Sequence, residues 1–245
     1  MPAASDPLTW LLSLEGVPSA YAAARDGIDV LLRDRGLRRT SPEMTAESLI
    51  RGAHASAVLE GSTSTLAQVR TGECDEIAQD SLRLSTQMLG LATVLMKSPL
   101  QALARLHSLA ATGSVDDTRL GRPRDAESAA RLRDIAGLLT APTDAPALLV
   151  AALVHGELLT AAPFPSHNGL VARATERLIL VGRGVDEKSL VVPEAGHLAV
   201  RAAYESNLRG YAEGGAAGVH AWTLYAPEAY VAGAEASPLR REATE

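Results

Sequence analysis

Apolar residues recur along most of this chain at the three- and four-residue spacing of α-helices, and short turn-forming stretches separate the segments. Ser41 and Pro42 are typical of a helix start, whereas Gly36 and Gly61 are typical of helix ends. The pattern predicts helices over residues 22–35, 43–61, 74–97, 99–112, 125–139, 146–160, 169–184, 193–211 and 216–232. This succession favours an all-α fold.

Three segments add detail to this picture. Between residues 74 and 97 apolar residues occupy too many positions for a surface helix, which predicts one buried central helix. The polar, glycine-containing stretch 114–124 predicts a loop or a short hairpin. Residues 1–18 are rich in proline, serine and aspartate, and we expect them to form a tail or a short helical turn.

The composition agrees with a helical protein. Apolar residues make up 47% of the chain and aromatic residues only 3%, and the dominant alanine and leucine suit helices packed through small side chains. A chain of 245 residues is long enough to bury one sizeable core. We therefore expect a single domain over residues 1–245.

Charge and cysteine content narrow the classes of function. The net charge of −6 is spread along the chain, so no basic patch of the kind that binds a phosphate backbone is expected and nucleic acid is not a predicted partner. Cys74 is the single cysteine, which leaves no intramolecular disulfide and no thiolate metal cluster. No window approaches 18 uninterrupted apolar residues, so we expect no membrane partner and a cytoplasmic location.

A proline-bracketed turn between two predicted helices carries the candidate chemistry. Residues 162–173 read Ala-Pro-Phe-Pro-Ser-His-Asn-Gly-Leu-Val-Ala-Arg, and Asn168 and Gly169 open the second helix. Unpaired N–H groups at such a helix start can bind an anion, although Asn-Gly is also a common turn dipeptide. His155, one helix earlier, is expected to be a packed or capping residue.

This stretch resembles the signature of the Fic family, His-Pro-Phe-x-Asp/Glu-Gly-Asn-Gly-Arg-x-x-Arg. Members of the family are helical bundles that transfer AMP or related phosphate-containing groups onto protein hydroxyls. The resemblance implies a Fic-like core over residues 100–211, with N-terminal helices over 1–95 and a C-terminal helix and tail over 212–245. It also implies a flap near 114–124 that aligns a target segment. Gly121, Arg122 and Arg124 belong to this flap, and Arg122 or Arg124 would then contact an anionic ligand; a solvated arginine loop is the alternative.

Four positions of the signature are changed. The places of the proton-accepting histidine, the acidic magnesium ligand, the loop glycine and the first arginine are held by Ala162, Ser166, His167 and Leu170. Alanine cannot accept a proton, so ordinary transfer is expected to be severely reduced. A hydroxyl is also a poorer magnesium ligand than a carboxylate. The resemblance therefore assigns no metal residue and no catalytic residue, apart from His167 as a candidate substitute base that could equally face solvent.

Other positions of the signature are kept. Asn168, Gly169 and Arg173 match its anion loop and second arginine, which implies a site for an anion or an ATP-like nucleotide. Phe164 is the only phenylalanine in the chain, and the resemblance implies that its ring anchors the loop in the core.

A second motif lies upstream, at the end of the helix predicted over 43–61. Ser56-Ala-Val-Leu-Glu60-Gly61 matches the Ser/Thr-x-x-x-Glu-Gly/Asn pattern by which many Fic proteins inhibit themselves. The resemblance implies an ion pair between Glu60 and Arg173. A solvated Glu60 is the alternative, because an exposed carboxylate near a helix end costs under about 1 kcal/mol.

Three functions remain compatible with the sequence. The first is a pseudoenzyme that binds a nucleotide or a protein partner, with a homodimer also allowed. The second is an altered phosphate-group transferase with a substituted base. The third is a purely structural or regulatory helical protein.

Overall fold

The structure is a computed structural model that describes residues 6–35 and 41–240. Its α-helices are α1 (Val17–Arg35), α2 (Pro42–Leu59), α3 (Leu66–Thr71), α4 (Glu76–Met88), α5 (Ala92–Lys97), α6 (Pro99–Ala111), α7 (Ala126–Thr140), α8 (Ala147–Ala161), α9 (Asn168–Gly182), α10 (Pro193–Ala199), α11 (Arg201–Glu213) and α12 (Gly215–Glu235). Within the described ranges there is no strand, only an isolated bridge between Thr112 and Val115. The all-α prediction is confirmed.

Short-range sequence signals place many of the helix starts. Pro42, Pro99 and Pro193 occupy the first turns of α2, α6 and α10, where the missing N–H costs no helical hydrogen bond. The side chains of Asp75 and Asp125 cap α4 and α7 by accepting backbone N–H groups at 2.9 and 2.8 Å.

Two predicted helices are each divided in the structure. The predicted helix 74–97 becomes α4, a 3₁₀ turn at Leu89–Leu91 and α5. The predicted helix 193–211 is interrupted at Val200, whose φ of −111° and ψ of 37° are not helical. The halves nevertheless share neighbours, since α4 and α5 both pack against α6 and α9, and α10 and α11 both pack against α12.

The start of the first predicted helix also differs. A 3₁₀ turn covers Thr9–Ser13 and α1 begins at Val17, earlier than the predicted position 22. Gly36, the predicted stop signal of this helix, lies outside the described residues. Residues 241–245 of the predicted C-terminal tail also lie outside them.

The core is centred on α8 and α9. One continuous apolar cluster extends from Leu8 to Leu239 and includes residues of all the longer helices. α9 packs against α8, α5, α6, α4, α10 and α2, and its residues from Gly169 to Leu180 are buried. The loop between α8 and α9 therefore joins two buried helices of the core. None of the helices in the described ranges combines the length and apolar character needed to cross a bilayer.

A buried ion pair ties α9 to two neighbouring helices. Nη2 of Arg177 lies 2.6 Å from Oε2 of Glu194 in α10, and Nη1 donates to Oγ of Ser48 in α2 at 3.0 Å. Gly52 of α2 leaves the space for this contact, since a Cβ there would lie 2.6 Å from Nη2 of Arg177. These contacts fix α2 beside α9, which matters for the site described next.

Candidate functional site

The loop 162–167 turns the chain from α8 into α9 through two left-handed residues. Ala162 has a φ of 40° and His167 a φ of 57°, a region that non-glycine residues seldom adopt. Asn168 braces the turn, because its Oδ1 accepts the N–H of Phe164 and its Nδ2 donates to the carbonyl of Phe164, both at 2.9 Å. Asn168 therefore has a structural role in this arrangement.

Phe164 joins the loop to the core and to the segment 114–124. Its buried ring stacks on His107 of α6 with centroids 4.4 Å apart. Nδ1 of His107 accepts the N–H of Gly121 at 2.9 Å, and the N–H of Arg124 donates to the carbonyl of Pro163 at 2.9 Å. One aromatic stack and two hydrogen bonds thus position the loop and this segment together.

His107 makes the stability of this region depend on pH. Burial, and secondarily the nearby His167, lowers the pKa of His107 from 6.5 to about 4. Between these values the unfolded chain binds more protons, so the His107 contribution to stability is lost as pH falls from about 6.5. We expect a lower Tm at pH 5 than at pH 7 by thermal unfolding. The variant His107→Gln, which keeps an acceptor, should show a smaller decrease; an unchanged decrease would contradict the assignment.

The segment 114–124 is a loop, and the hairpin alternative is wrong. It contains a 3₁₀ turn at Asp117–Arg119 and no strand. Gly121 has a φ of 70°, and a Cβ there would lie 2.8 Å from the carbonyl oxygen of Ala104. The guanidinium of Arg124 donates to the carbonyl of Ala161 at 3.3 Å. The loop therefore contacts α6 through Gly121 and the carboxyl end of α8 through Arg124.

Arg173 is buried and bonded through all of its guanidinium nitrogens. Its side chain is 2% exposed, and Nη2 lies 2.6 Å from Oε1 of Glu60, whose side chain is 33% exposed. Nε donates to Oγ of Ser56 at 2.8 Å, and Nη1 donates to the hydroxyl of Tyr204 at 3.3 Å. The ion pair expected from the two motifs is present, and Ser56 contributes a second contact to the same arginine.

Glu60 also covers the amino end of α9. A Cβ at Gly169 would lie 1.9 Å from Oε1 of Glu60, so the carboxylate rests against the backbone at this position. Gly61 follows with a φ of 100°, which releases the chain from α2. Asn168, Gly169 and Arg173 are therefore brought together, but protein groups already occupy them.

Ser166, His167 and Asp80 form a chain of hydrogen bonds beside the loop. Oγ of Ser166 lies 2.6 Å from Nδ1 of His167, and Nε2 of His167 lies 3.0 Å from Oδ2 of Asp80. The same Oδ2 accepts the hydroxyl of Ser114 at 2.9 Å, and Arg83 lies 2.8 Å from Oδ1. Asp80 was not predicted as a site residue, because nothing in its local sequence connects it to the loop.

A separate buried cluster offers three groups that could hold a metal ion. Nδ1 of His155, Oε2 of Glu176 and Nε2 of His197 lie within 4.8 Å of one another. The two histidine nitrogens lie 2.9 and 2.8 Å from Oε2 of Glu176. The other polar atom of each of the three side chains forms a hydrogen bond with a tyrosine hydroxyl: Nε2 of His155 with Tyr204, Nδ1 of His197 with Tyr225 and Oε1 of Glu176 with Tyr230. These are hydrogen-bond lengths with every nitrogen partnered, so the cluster is a structural network. The prediction that His155 is a packed residue is confirmed.

Electrostatics in this network follow from burial. Burial alone would raise the pKa of Glu176, but the two histidines outweigh it and hold the pKa well below its usual range. Burial lowers the pKa of His155. The carboxylate of Glu176 therefore accepts a hydrogen bond from each of the two imidazole rings. The indole of Trp222 closes the cluster, with its ring centroid 5.6 Å from that of His155 and its Nε1 donating to the carbonyl of Ala152 at 2.8 Å.

Comparison with known proteins identifies the fold. No protein-family model matches the sequence, and no curated protein matches it. Among solved structures, a Fic family protein from Desulfovibrio desulfuricans G20 superposes with a TM-score of 0.72 at 19% identity, covering 89% of this chain and 73% of that chain. Fic-1 of C. elegans (aa134–508) gives a TM-score of 0.66 at 19% identity, covering 91% and 72%, and its E274G variant gives 0.66 at 18%, covering 92% and 72%. The chain has a Fic-like fold.

Proposed function

We propose that this chain is a Fic-like pseudoenzyme that lacks ordinary AMP-transferase activity and acts by binding a nucleotide or a protein partner at the loop 162–167. The observation that supports this most is the position of Glu60, which pairs with Arg173 and covers Gly169. If Glu60 moved away, the guanidinium of Arg173 would lie beside the uncapped amino end of α9. A cation next to a helix start favours the binding of an anion.

The loss of ordinary transfer rests on two positions of the loop region. Ala162 presents a methyl group where the family signature has its histidine, and a missing general base costs about 10²- to 10⁴-fold in rate. Leu170, at the place of the first arginine, is buried in the apolar core and carries no charge for a phosphate. The positions that would drive ordinary transfer are thus filled by apolar side chains.

Regulation by Glu60 rests on the unequal exposure of the ion pair. Arg173 is fixed by Ser56 and Tyr204, whereas a third of the Glu60 side chain reaches solvent. Glu60 is therefore the member of the ion pair that can change position while the packing of the core stays intact. The guanidinium would remain in place for an incoming phosphate.

Nucleotide binding can be tested on the wild type and on Glu60→Gly by thermal shift and calorimetry with ATP. We expect the variant to bind ATP more tightly than the wild type, because its anion site is open. At 100 times the dissociation constant, binding adds about 2.7 kcal/mol to stability. Adding Arg173→Met to the Glu60→Gly background serves as the control and should abolish the shift. If neither wild type nor Glu60→Gly responds, the loop is a relic and the protein is a structural or regulatory helical module.

A second candidate is an altered phosphate-group transferase. The observation that favours it is the contact of His167 with both Ser166 and Asp80, which fixes the orientation of an imidazole within the loop 162–167. Incubating candidate target proteins with ATP, UTP or CDP-choline and magnesium would be followed by mass spectrometry. The absence of any added mass, even with Glu60→Gly, would rule out this candidate.

A further inference from the structure

We propose that Ser166 is an activated nucleophile that takes the acyl group of a carboxylic ester, with His167 as its base and Asp80 positioning His167. The proposal does not depend on nucleotide binding. It concerns a serine and a histidine at places where the family signature has a metal ligand and a glycine.

The hydrogen-bond chain fixes which nitrogen of His167 can act as the base. Asp80 has only acceptor oxygens when ionised, so Nε2, 3.0 Å away, carries the imidazole proton. Nδ1 is then unprotonated and accepts the hydroxyl of Ser166 at 2.6 Å. A nucleophile, a base and a residue that orients the base stand in the order that an activated serine requires.

Asp80 is rigidly held, as an orienting residue must be. It is buried on α4, and it binds Arg83 at 2.8 Å and Ser114 at 2.9 Å. His167 keeps a left-handed backbone with a φ of 57° although it is not a glycine. A backbone of this kind costs of order 1–3 kcal/mol and persists only where surrounding contacts enforce it. The contacts of His167 with Ser166 and Asp80 belong to the surroundings that hold this conformation.

The amino end of α9 supplies the positive potential for the attacked oxygen. The N-cap residue, His167, makes no side-chain capping hydrogen bond at this end, and the first helical residue, Asn168, lies two positions after Ser166. N–H groups of a first helical turn stabilise the negative oxygen of a tetrahedral intermediate. The carboxylate of Glu60 beside Gly169 opposes that charge, so the Glu60→Gly variant should react faster than the wild type.

The acylation step balances within these groups. Oγ of Ser166 forms a bond to the carbonyl carbon while its proton passes to Nδ1 of His167. The bond from that carbon to the ester oxygen then breaks, and the leaving alcohol takes the proton from His167. Water attacks the acyl-serine by the same route, which releases the carboxylic acid and restores the hydroxyl.

A fluorophosphonate probe tests the nucleophile directly. Oγ displaces fluoride from phosphorus, and peptide mass spectrometry locates the adduct. We expect Ser166 to be labelled in the wild type and faster in Glu60→Gly, with the exposed Ser19 unlabelled. Ser166→Ala should lose the adduct and His167→Ala should lower the labelling rate at least 10-fold. p-Nitrophenyl acetate should likewise leave an acetyl group on Ser166.

The pH profile separates positioning by Asp80 from a merely structural role. The charged and titratable groups around His167 are Asp80, Arg83 bound to Asp80, and His107, which stays neutral above its pKa of about 4. In Asp80→Asn the labelling rate should fall at every pH of the profile, because an amide can donate as well as accept and no longer fixes the imidazole proton on Nε2. Circular dichroism would confirm that each variant is folded.

Two results would overturn the proposal. One is the absence of a Ser166 adduct in both the wild type and Glu60→Gly. The other is equal labelling rates for the wild type and a folded His167→Ala. Since the probe contains no nucleotide, neither result bears on the ATP experiment, and a failure of ATP binding leaves the labelling prediction intact.

Discussion

Replacing Glu60 with alanine is expected to lower the free energy of unfolding by about 2–3 kcal/mol. The change strands the guanidinium of Arg173, which is 2% exposed, without its carboxylate. Breaking a fully buried pair costs about 3–5 kcal/mol, and the lower figure reflects the third of Glu60 that solvent reaches. Removing a negative charge from the carboxyl end of α2 returns up to about 1 kcal/mol. Urea denaturation followed by circular dichroism measures the difference.

The surface pair of Arg201 and Glu205 provides a matched control. Its atoms lie 2.7 Å apart, nearly as close as in the Glu60 pair, but both side chains are 47% exposed. Solvent screens such a pair, so Glu205→Ala should change stability by less than about 0.5 kcal/mol. Similar losses in the two variants would show that the Glu60 contact is not a buried one.

Replacing Gly196 with alanine is expected to destabilise the protein by at least about 3 kcal/mol or to prevent folding. Gly196 of α10 faces the backbone of α12, where an added Cβ would lie 1.9 Å from the carbonyl oxygen of Ala229 and 2.8 Å from the nitrogen of Gly233. Backbone atoms cannot rotate away as a side chain can. The two helices must therefore separate, and α10 carries His197 of the buried network.

Gly210→Ala is the control for the Gly196 experiment. Gly210 is also a helical glycine, in α11, but a Cβ there would meet nothing within 4 Å. Alanine is the better helix former by about 1 kcal/mol, so this variant should be neutral or slightly stabilised. Thermal unfolding of the two variants side by side gives the comparison. A wild-type Tm for Gly196→Ala would contradict the close approach of α10 and α12.

Local signals explain the parts of the fold that the sequence predicts well. Prolines and capping aspartates mark helix starts through contacts within one turn of the chain, and these starts lie within two residues of the predicted positions. The Glu60 to Arg173 contact was also predicted, although 113 positions separate the two residues. It required two motifs whose pairing was implied by resemblance, since spacing alone does not connect them.

The parts that could not be predicted depend on contacts between distant segments. Asp80 reaches His167 across 87 positions, and the network of Glu176 collects side chains from α8, α10, α11 and α12. Such contacts exist only after the chain has folded, so no local pattern records them.

The place of Trp222 gives the protein an internal optical reporter. Its buried ring lies 6.1 Å from the ring of Tyr204, and the hydroxyl of Tyr204 accepts a hydrogen bond from Arg173. The only other tryptophan, Trp10, is 47% exposed and belongs to the 3₁₀ turn before α1. Buried Trp222 therefore supplies most of the short-wavelength tryptophan emission. Only Tyr204 lies between its ring and the guanidinium of Arg173, so we expect the release of Glu60 to change this emission, which can be recorded in real time without an added dye.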